Sequence, residues 1–176
     1  MEKEKTNTYM RLGKELLPYL IIILIILLVK RFLFTTILVN GRSMNDTLKE
    51  NDVMILDKVS YRVSDIKRFD IIVLNASKTK LIKRVIGLPG EHVKYVDNEL
   101  YINDKKVSDT YGKGITYDFD LTELGINKIP DGYYFVLGDN REDSLDSRSI
   151  GIIPKKDILG HATFRLYPFN KFGKVK

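Results

Sequence analysis

The sequence predicts a mainly β protein, in which one N-terminal transmembrane helix precedes a compact antiparallel β domain. Two observations predict this fold class. Residues 16 to 29 form an uncharged run rich in leucine and isoleucine. After it, short runs of β-branched and aromatic residues alternate with Gly, Pro, Asn and Asp, which is typical of strands joined by turns. Because no long helical pattern separates these runs, a doubly wound α/β sheet is not expected.

The apolar run Leu16–Val29 is interpreted as a membrane anchor. A helix of this length rises only about 21 Å, short of a bilayer core of about 30 Å. However, it is apolar all round, Lys30 and Arg31 can snorkel, and apolar residues continue beyond them. No small-residue cleavage site follows, which favours an anchor over a cleaved secretory signal peptide. The expected boundaries are 1–15 for a cytoplasmic tail, 16–35 for the anchor and 36–176 for an extracytoplasmic catalytic domain.

The basic residues before the anchor favour a cytoplasmic N-terminus. They are Lys3, Lys5, Arg11 and Lys14. Lys and Arg are enriched on the cytoplasmic side of membrane helices. We therefore expect a single-pass protein of the cell membrane with its C-terminal domain outside the cell.

Several short runs in the C-terminal domain are predicted strands. They are Val53–Leu56, Ile71–Leu74, Leu81–Ile86, Val93–Val96, Leu100–Ile102, Tyr133–Leu137 and Ala162–Leu166. Asp97-Asn98 and Asn103-Asp104 are expected to form tight turns. The polar, turn-rich segment 97–127 is expected to form a small extension rather than core.

The composition excludes several classes of function. The chain has no cysteine, which excludes a cysteine nucleophile, a disulfide framework and a thiolate metal site. The net charge of +6 suits a surface beside anionic lipid. No nucleic-acid partner is expected, since the basic residues are interspersed with acids and no recognition motif is visible. Neither His92 nor His161 lies in a triad or metal motif, so no metal and no cofactor are expected.

Ser43 and Lys83 are the candidate catalytic residues. A serine hydroxyl is a poor nucleophile until a base takes its proton, and a lysine can be that base if its surroundings keep it neutral. Strand alternation places Lys83 on the same face as Leu81 and Val85, where desolvation would lower its pKa. Taken alone, Lys83 is better explained as a strand-edge lysine that reaches water than as a base. Taken alone, Ser43 is better explained as an exposed loop serine than as a nucleophile. Gly41 would let a substrate carbonyl approach closely, and the Ser43 N–H would then donate to the oxyanion.

The segment Gly138–Arg148 is dense in Asp, Asn, Arg and Ser. A calcium loop would need oxygen ligands at alternate positions, but Arg141 and Leu145 occupy two of them. A turn network held by Asp–Arg pairs fits the segment better.

Together and in this order, these motifs resemble the type I signal peptidases, the bacterial leader peptidase family, in its Gram-positive single-span form. The resemblance runs from the anchor to near Leu166. The matching segments are Ser43-Met44-x-x-Thr47-Leu48, Asp70-Ile71-Ile72-Val73, Lys83 to Glu91, and Gly138 to Arg148 with Gly151 shortly after. The last two motifs are long and specific.

The resemblance implies a Ser-Lys dyad, with Ser43 as the nucleophile and Lys83 as the general base. Ser144 would hydrogen-bond the lysine amine and help orient it. The other implied roles are ion pairs of Asp146 with Arg148 and also with Arg84, a supporting wall from Met44, and shallow apolar substrate pockets lined by Val39 and Ile82.

The resemblance also implies the function. Type I signal peptidases are membrane-bound serine endopeptidases that remove N-terminal signal peptides from secretory preproteins. They cut after Ala-x-Ala-like sites and bind the substrate as an added β-strand, a mode in which alternate side chains give specificity. The expected partners are therefore preproteins and membrane lipid.

Two positions depart from the family pattern. Asp46 stands where the family usually has proline, and a negative charge near Lys83 would raise the lysine pKa. Gly41 stands where some members supply a serine hydroxyl to the oxyanion hole. Asp46 keeps open an alternative, a non-catalytic membrane-anchored module of the same fold that binds signal peptides or pilin-like partners. A self-cleaving repressor-type protease is not expected, because the anchor leaves no room for a DNA-binding domain.

Overall fold

The computed structural model describes residues 2–45, 47–76 and 79–175, without the side chains of 2–13, 30–32, 62 and 63. Asp46, whose charge is the main departure from the family pattern, lies outside the described residues. The helices are α1 (Glu2–Phe32), α2 (Ser60–Val63) and α3 (Ser147–Ile150). The strands are β1 (Phe34–Leu38), β2 (Val53–Asp57), β3 (Ile71–Ala76), β4 (Thr79–Gly87), β5 (Val93–Val96), β6 (Glu99–Ile102), β7 (Lys105–Val107), β8 (Phe119–Asp120), β9 (Tyr133–Leu137), β10 (Ile153–Pro154), β11 (Ile158–Tyr167) and β12 (Gly173–Lys174).

The helix α1 contains the apolar run. Every side chain from Leu16 to Val29 is exposed. The helix ends at Phe32, and β1 begins at Phe34, within the range expected for the anchor. Within the described part of the chain, no helix combines the length and the apolar character needed to cross a membrane.

The predicted strands are confirmed, since each coincides with an observed strand or lies inside one. The turn predictions are also confirmed: Asp97, Asn98, Asn103 and Asp104 all have positive φ, between 49° and 65°. Positive φ at both central residues gives the type I′ turn that matches the twist of a hairpin. The strands missed from the sequence are β1, whose apolar residues continue the anchor pattern, and the short strands β7, β8, β10 and β12.

The described strands form two sheets, and the named strands pair antiparallel throughout. The first has the order β1-β2-β11-β3-β4-β9-β10, with β12 beside β11; the second has the order β7-β6-β5-β8. The second sheet contributes core residues, because Leu100, Ile102 and Phe119 are buried in one cluster with Phe135 and Leu137 of β9. Segment 97–127 therefore supplies core, which its polar composition did not indicate.

The strand β4 occupies a central position in the first sheet. It pairs with β3 on one side and β9 on the other. Its residues 83 to 87 are buried consecutively, not alternately. Because both faces of β4 are covered, a charged side chain in this stretch needs partners inside the protein.

Candidate active site

Lys83 is buried at the centre of the first sheet, with 1% of its surface exposed. Its Nζ donates a hydrogen bond to Ser144 Oγ over 3.1 Å. Burial lowers the pKa of the Lys83 ammonium to about 8, although the charge of Asp146 acts in the opposite direction. A lysine with this pKa is partly neutral just above pH 7 and can accept a proton there.

Ser43 lies next to Ser144. The Ser43 carbonyl accepts a hydrogen bond from the Asn140 N–H at 3.0 Å. Gly138 contacts both serines, and a Cβ at that position would overlap Ser144 Oγ and the Ser43 carbonyl oxygen. The absent side chain of Gly138 therefore lets the Ser43 segment approach Ser144, which contacts Lys83. The structure thus places Lys83 in contact with Ser144, and the backbone of Ser43 beside Ser144.

Asp146 is fully buried and organises the turn that presents Ser144. Its Oδ2 accepts from the Gly138 N–H at 3.1 Å and from Arg148 Nη2 at 2.9 Å. Its Oδ1 accepts from Arg148 Nε at 2.9 Å. The Arg148 guanidinium also donates to the Arg141 carbonyl at 2.7 Å. This is the Asp–Arg turn network that the sequence predicted, and bidentate pairs of this kind fix orientation as well as charge.

Arg84 requires a correction, because the ion pair found for it is with Asp139 and not with Asp146. Nε and Nη2 of Arg84 donate to the two Asp139 carboxylate oxygens at 2.8 and 2.7 Å. Both side chains are at most 1% exposed. Nη1 donates to the Phe69 carbonyl at 2.8 Å. Sequence reasoning missed Asp139 as a site residue, although it lies in the Gly138–Arg148 motif.

Asp139 links the two candidate catalytic segments. Its Oδ2 also accepts a hydrogen bond from Thr47 Oγ1 at 2.5 Å. Thr47 belongs to the segment that begins at Ser43, and Arg84 directly follows Lys83. One buried carboxylate therefore holds the serine loop against the lysine strand.

We predict that Asp139→Asn destabilises the protein by about 3 kcal/mol, because it removes the buried carboxylate charge that pairs with the Arg84 guanidinium. The matched control is Glu99→Gln, which breaks the exposed Lys106–Glu99 pair, 3.1 Å long. Surface pairs contribute below about 1 kcal/mol, so the control should unfold almost like the unmodified protein. Urea unfolding in detergent measures both variants. If both variants lost the same small amount of stability, the linking role of Asp139 would be contradicted.

A groove of about 800 Å³ runs up to this site. Its lining comes from β1 and the residues after it, from the middle of β3 and from the first half of β4. These residues are Thr36, Ile37, Leu38, Asn40, Gly41, Val73, Thr79, Lys80, Leu81 and Ile82. Because Gly41 precedes Ser43 by two residues and Ile82 adjoins Lys83, one end of the groove meets the candidate catalytic pair.

The two expected pocket residues differ in their positions. Ile82 lines the groove. Val39 does not line this groove: its side chain is 2% exposed and packs in the core with Met44, so its pocket role stays a prediction. Although β1 ends at Leu38, the Val39 N–H and carbonyl bond to Asp52 and Asn51, so strand alternation continues and places Val39 on the inner side with Thr35 and Ile37. Met44 is buried in the same cluster, against which Ile82 packs, so it supports the groove wall from beneath.

The chain is similar to known proteins over most of its length. A family model described as "Signal peptidase, peptidase S26" matches residues 12–167. Signal peptidase I T of Bacillus subtilis (strain 168) is 39% identical over 188 residues, covering 99% of this chain and 93% of the relative. Signal peptidase I of Bacillus caldolyticus is 39% identical over 166 residues, covering 88% of this chain and 91% of the relative.

A solved structure is also similar. The crystal structure of a signal peptidase I from Enterococcus faecalis V583 aligns with a TM-score of 0.52 and 37% identity. The alignment covers 56% of this chain and 97% of that one. Together with the family match, it confirms the resemblance inferred from the motifs.

Proposed function

Because the chain belongs to the signal peptidase family, peptidase S26, and is a serine endopeptidase, we propose that it removes signal peptides from secretory preproteins by a Ser-Lys dyad. One observation carries the proposed chemistry. Lys83 is buried, has a pKa lowered to about 8, and contacts Ser144 beside the Ser43 segment. The non-catalytic alternative has no support in the relatives, which are named as peptidases.

In the proposed mechanism, neutral Lys83 takes the proton of Ser43 Oγ as this oxygen attacks the carbonyl before the cleavage site. The Ser43 N–H donates to the oxyanion of the tetrahedral intermediate. The Lys83 ammonium then gives its proton to the leaving amine, and the peptide bond breaks to leave an ester on Ser43. A water molecule that loses a proton to Lys83 hydrolyses the ester, and the proton returns to Ser43.

The surrounding residues have positioning roles in this proposal. Ser144 Oγ accepts from Lys83 Nζ and leaves the nitrogen lone pair of the neutral amine available for the nucleophile. Asp146, with Arg148, fixes the turn that carries Ser144. The Arg84–Asp139 pair holds the lysine strand to the serine loop. None of these groups needs to exchange a proton with substrate.

The groove is the proposed substrate site. β1 pairs with β2, and no other partner strand is found for it in the described residues. An extended peptide can therefore add to the remaining edge of β1 and lie against β4, so that backbone hydrogen bonds give affinity and alternate side chains enter pockets. Ile82 and Leu38 line the groove and give it apolar walls, and in this proposal Ile82, which adjoins Lys83, lines the shallow pocket for Ala-like side chains.

We predict that Ile82→Ala widens this specificity. The smaller side chain should let substrates with Val or Leu before the cleavage site react, with a relative gain in kcat/KM on the order of tenfold over the Ala substrate. The measurement is cleavage of a substrate series that differs at one position. The control, Ile115→Ala, removes an exposed isoleucine that does not line the groove. If Ile82→Ala keeps the preference for alanine over valine and leucine, Ile82 does not line the specificity pocket.

The proposal includes a membrane anchor at residues 16–35, with 1–15 in the cytoplasm and 36–176 as the extracellular catalytic domain. The continuous exposure of apolar side chains from Leu16 to Val29 supports it, since such a surface is unfavourable in water. The basic residues before it support the orientation. Anchoring beside tethered preproteins would raise their effective concentration at the site.

The proposed function is tested by incubating the full chain in detergent with a preprotein that has an Ala-x-Ala site. A matched preprotein has leucine in place of the last alanine. We expect cleavage after the last alanine of the first substrate, located by sequencing the new N-terminus, and almost no cleavage of the second. Binding of the first without cleavage would contradict the proposal.

A further inference from the structure

A second pocket lies close to the end of α1 and is surrounded by lysines. Its volume is about 610 Å³. Lys58, Lys80, Lys155 and Lys156 line it, from three separate parts of the chain, and no described lining residue is acidic. Its other walls are largely apolar, with Leu56, Ile66, Ile158 and Leu159 among them. We call this site the lysine pocket.

The position of the lysine pocket is fixed by the chain itself. Thr35 lines it and follows the last residue of α1, Phe32, by only three residues. Three extended residues span about 10 Å at most. In addition, the Lys58 N–H donates to the Leu33 carbonyl at 3.0 Å, which ties the segment after β2 to the helix exit. The Thr35 wall of the pocket therefore lies within about 10 Å of the helix end, whatever the direction of the helix.

The lysine pocket is separate from the active site. Of the residues that line it, only Lys80 also lines the substrate groove. Ser43, Lys83 and Ser144 do not contribute to its walls. Like charges gathered around one cavity repel each other, and a bound anion would relieve this repulsion. Lysines and apolar walls in one cavity match a ligand that has an anionic head and an apolar tail.

We propose that the lysine pocket binds the phosphate headgroup of an anionic phospholipid in the membrane that holds the anchor. The proposal rests on the anchor included in the proposed function. Each headgroup layer of a bilayer is roughly 5 to 8 Å thick, so a pocket this close to the helix end lies at headgroup depth. The lysines donate charge-assisted hydrogen bonds to the phosphate oxygens, and the glycerol and first methylenes cover the apolar wall. The bound lipid holds this end of the first sheet against the membrane surface.

The test uses the full chain in non-ionic detergent at low salt. Isothermal titration calorimetry measures binding of dihexanoyl phosphatidylglycerol, dihexanoyl phosphatidylcholine and glycerol 3-phosphate. The test variant is Lys155→Gln with Lys156→Gln, both exposed residues outside the groove. The matched control is Lys105→Gln with Lys128→Gln, which removes the same charge from exposed positions outside the pocket. The same samples are assayed for preprotein cleavage.

We expect phosphatidylglycerol to bind more tightly than the other two compounds. Each lysine near an anionic lipid surface contributes about fivefold to binding, so the double test variant should bind about 30-fold more weakly and the control almost normally. Equal binding of phosphatidylcholine, or equal weakening by both variants, would overturn the inference. If glycerol 3-phosphate binds as tightly as phosphatidylglycerol, the pocket binds a soluble anion, and the proposal of a lipid ligand is wrong. If the protein cleaves preprotein but does not prefer the anionic lipid, the lipid inference is wrong and the proposed function stands. If it cleaves no preprotein, the proposed function is wrong.

Discussion

Ser43→Ala is expected to abolish preprotein cleavage, with a loss on the order of 10⁴-fold or more, while the protein stays folded. The substitution removes the oxygen that forms the ester, and loss of a nucleophile leaves only the catalysis due to binding and oxyanion stabilisation. Ser43 is half-buried in a turn, so loss of its hydroxyl creates little cavity. The control is Ser108→Ala, an exposed serine in the segment after β7. Initial rates with one preprotein, together with melting curves, measure both variants.

Ser144 is a second serine at the site, and it has to be distinguished from Ser43 as the nucleophile. Lys83 Nζ donates to Ser144 Oγ, so contact with the lysine alone would equally nominate Ser144 as the nucleophile. The two assignments predict opposite orders of residual activity for the Ser43→Ala and Ser144→Ala variants. If Ser43 is the nucleophile and Ser144 only orients the amine, Ser144→Ala should retain measurable turnover, with a lower kcat and a displaced pH profile. Complete loss in Ser144→Ala with turnover kept in Ser43→Ala would reverse the roles.

The secondary structure was accessible from sequence because its signals are local. Alternating β-branched residues and turn pairs such as Asp97-Asn98 need only neighbours in the chain to be interpreted. The catalytic pair was different. Lys83 alone fitted a strand-edge lysine better, and only its occurrence with Ser43 and the Gly138–Arg148 motif favoured a base. Its burial, which lowers the pKa, comes from covering both faces of β4.

The errors concern contacts between residues far apart in the chain. Arg84 and Asp139 are separated by 55 positions, and Thr47 and Asp139 by 92. No periodicity specifies which of several aspartates in one motif meets a given arginine. The resemblance implies a pocket role for Val39, but the alternation of β1 places its side chain on the inner side of the strand, in the core. Segment 97–127 looked polar because its few apolar residues are spaced along short strands that meet a distant strand, β9.

Lys83→Met should eliminate cleavage at every pH, because it keeps the volume and removes the base. In the unmodified protein, Lys83 must be neutral to accept the Ser43 proton. Since burial lowers its pKa to about 8, the cleavage rate should rise about tenfold per pH unit below that value and level off above it. The control is Lys128→Met at an exposed position, which should keep the full pH profile. A neutral-pH rate near normal in Lys83→Met would exclude the dyad.

The same substitution should stabilise the protein, which a purely structural lysine would not do. The folded-state pKa of Lys83, about 8, lies below its ordinary value of 10.5, so the unfolded chain binds the proton more tightly. Below pH 8 this difference costs about 3 kcal/mol of stability; the cost declines as the pH rises from 8 towards 10.5. Lys83→Met removes the cost but also the bond to Ser144, worth about 1 kcal/mol. We therefore expect a gain of about 2 kcal/mol at pH 7, or several degrees in Tm.

The pH dependence of this gain separates the desolvation account from better packing by methionine. In melting curves at pH 7, 9 and 10.5, the stability gain of Lys83→Met over the unmodified protein should shrink from pH 7 to pH 9 and reverse slightly by pH 10.5, because the lysine becomes neutral in both the folded and the unfolded states and only the lost bond to Ser144 remains. A stability gain that does not change with pH would mean that Lys83 is not a cation destabilised by desolvation. An inactive variant that is also less stable at pH 7 would indicate that Lys83 mainly holds the turn at Ser144. Loss of activity with a pH-limited gain in stability is the result expected of a base kept in a destabilising site for catalysis.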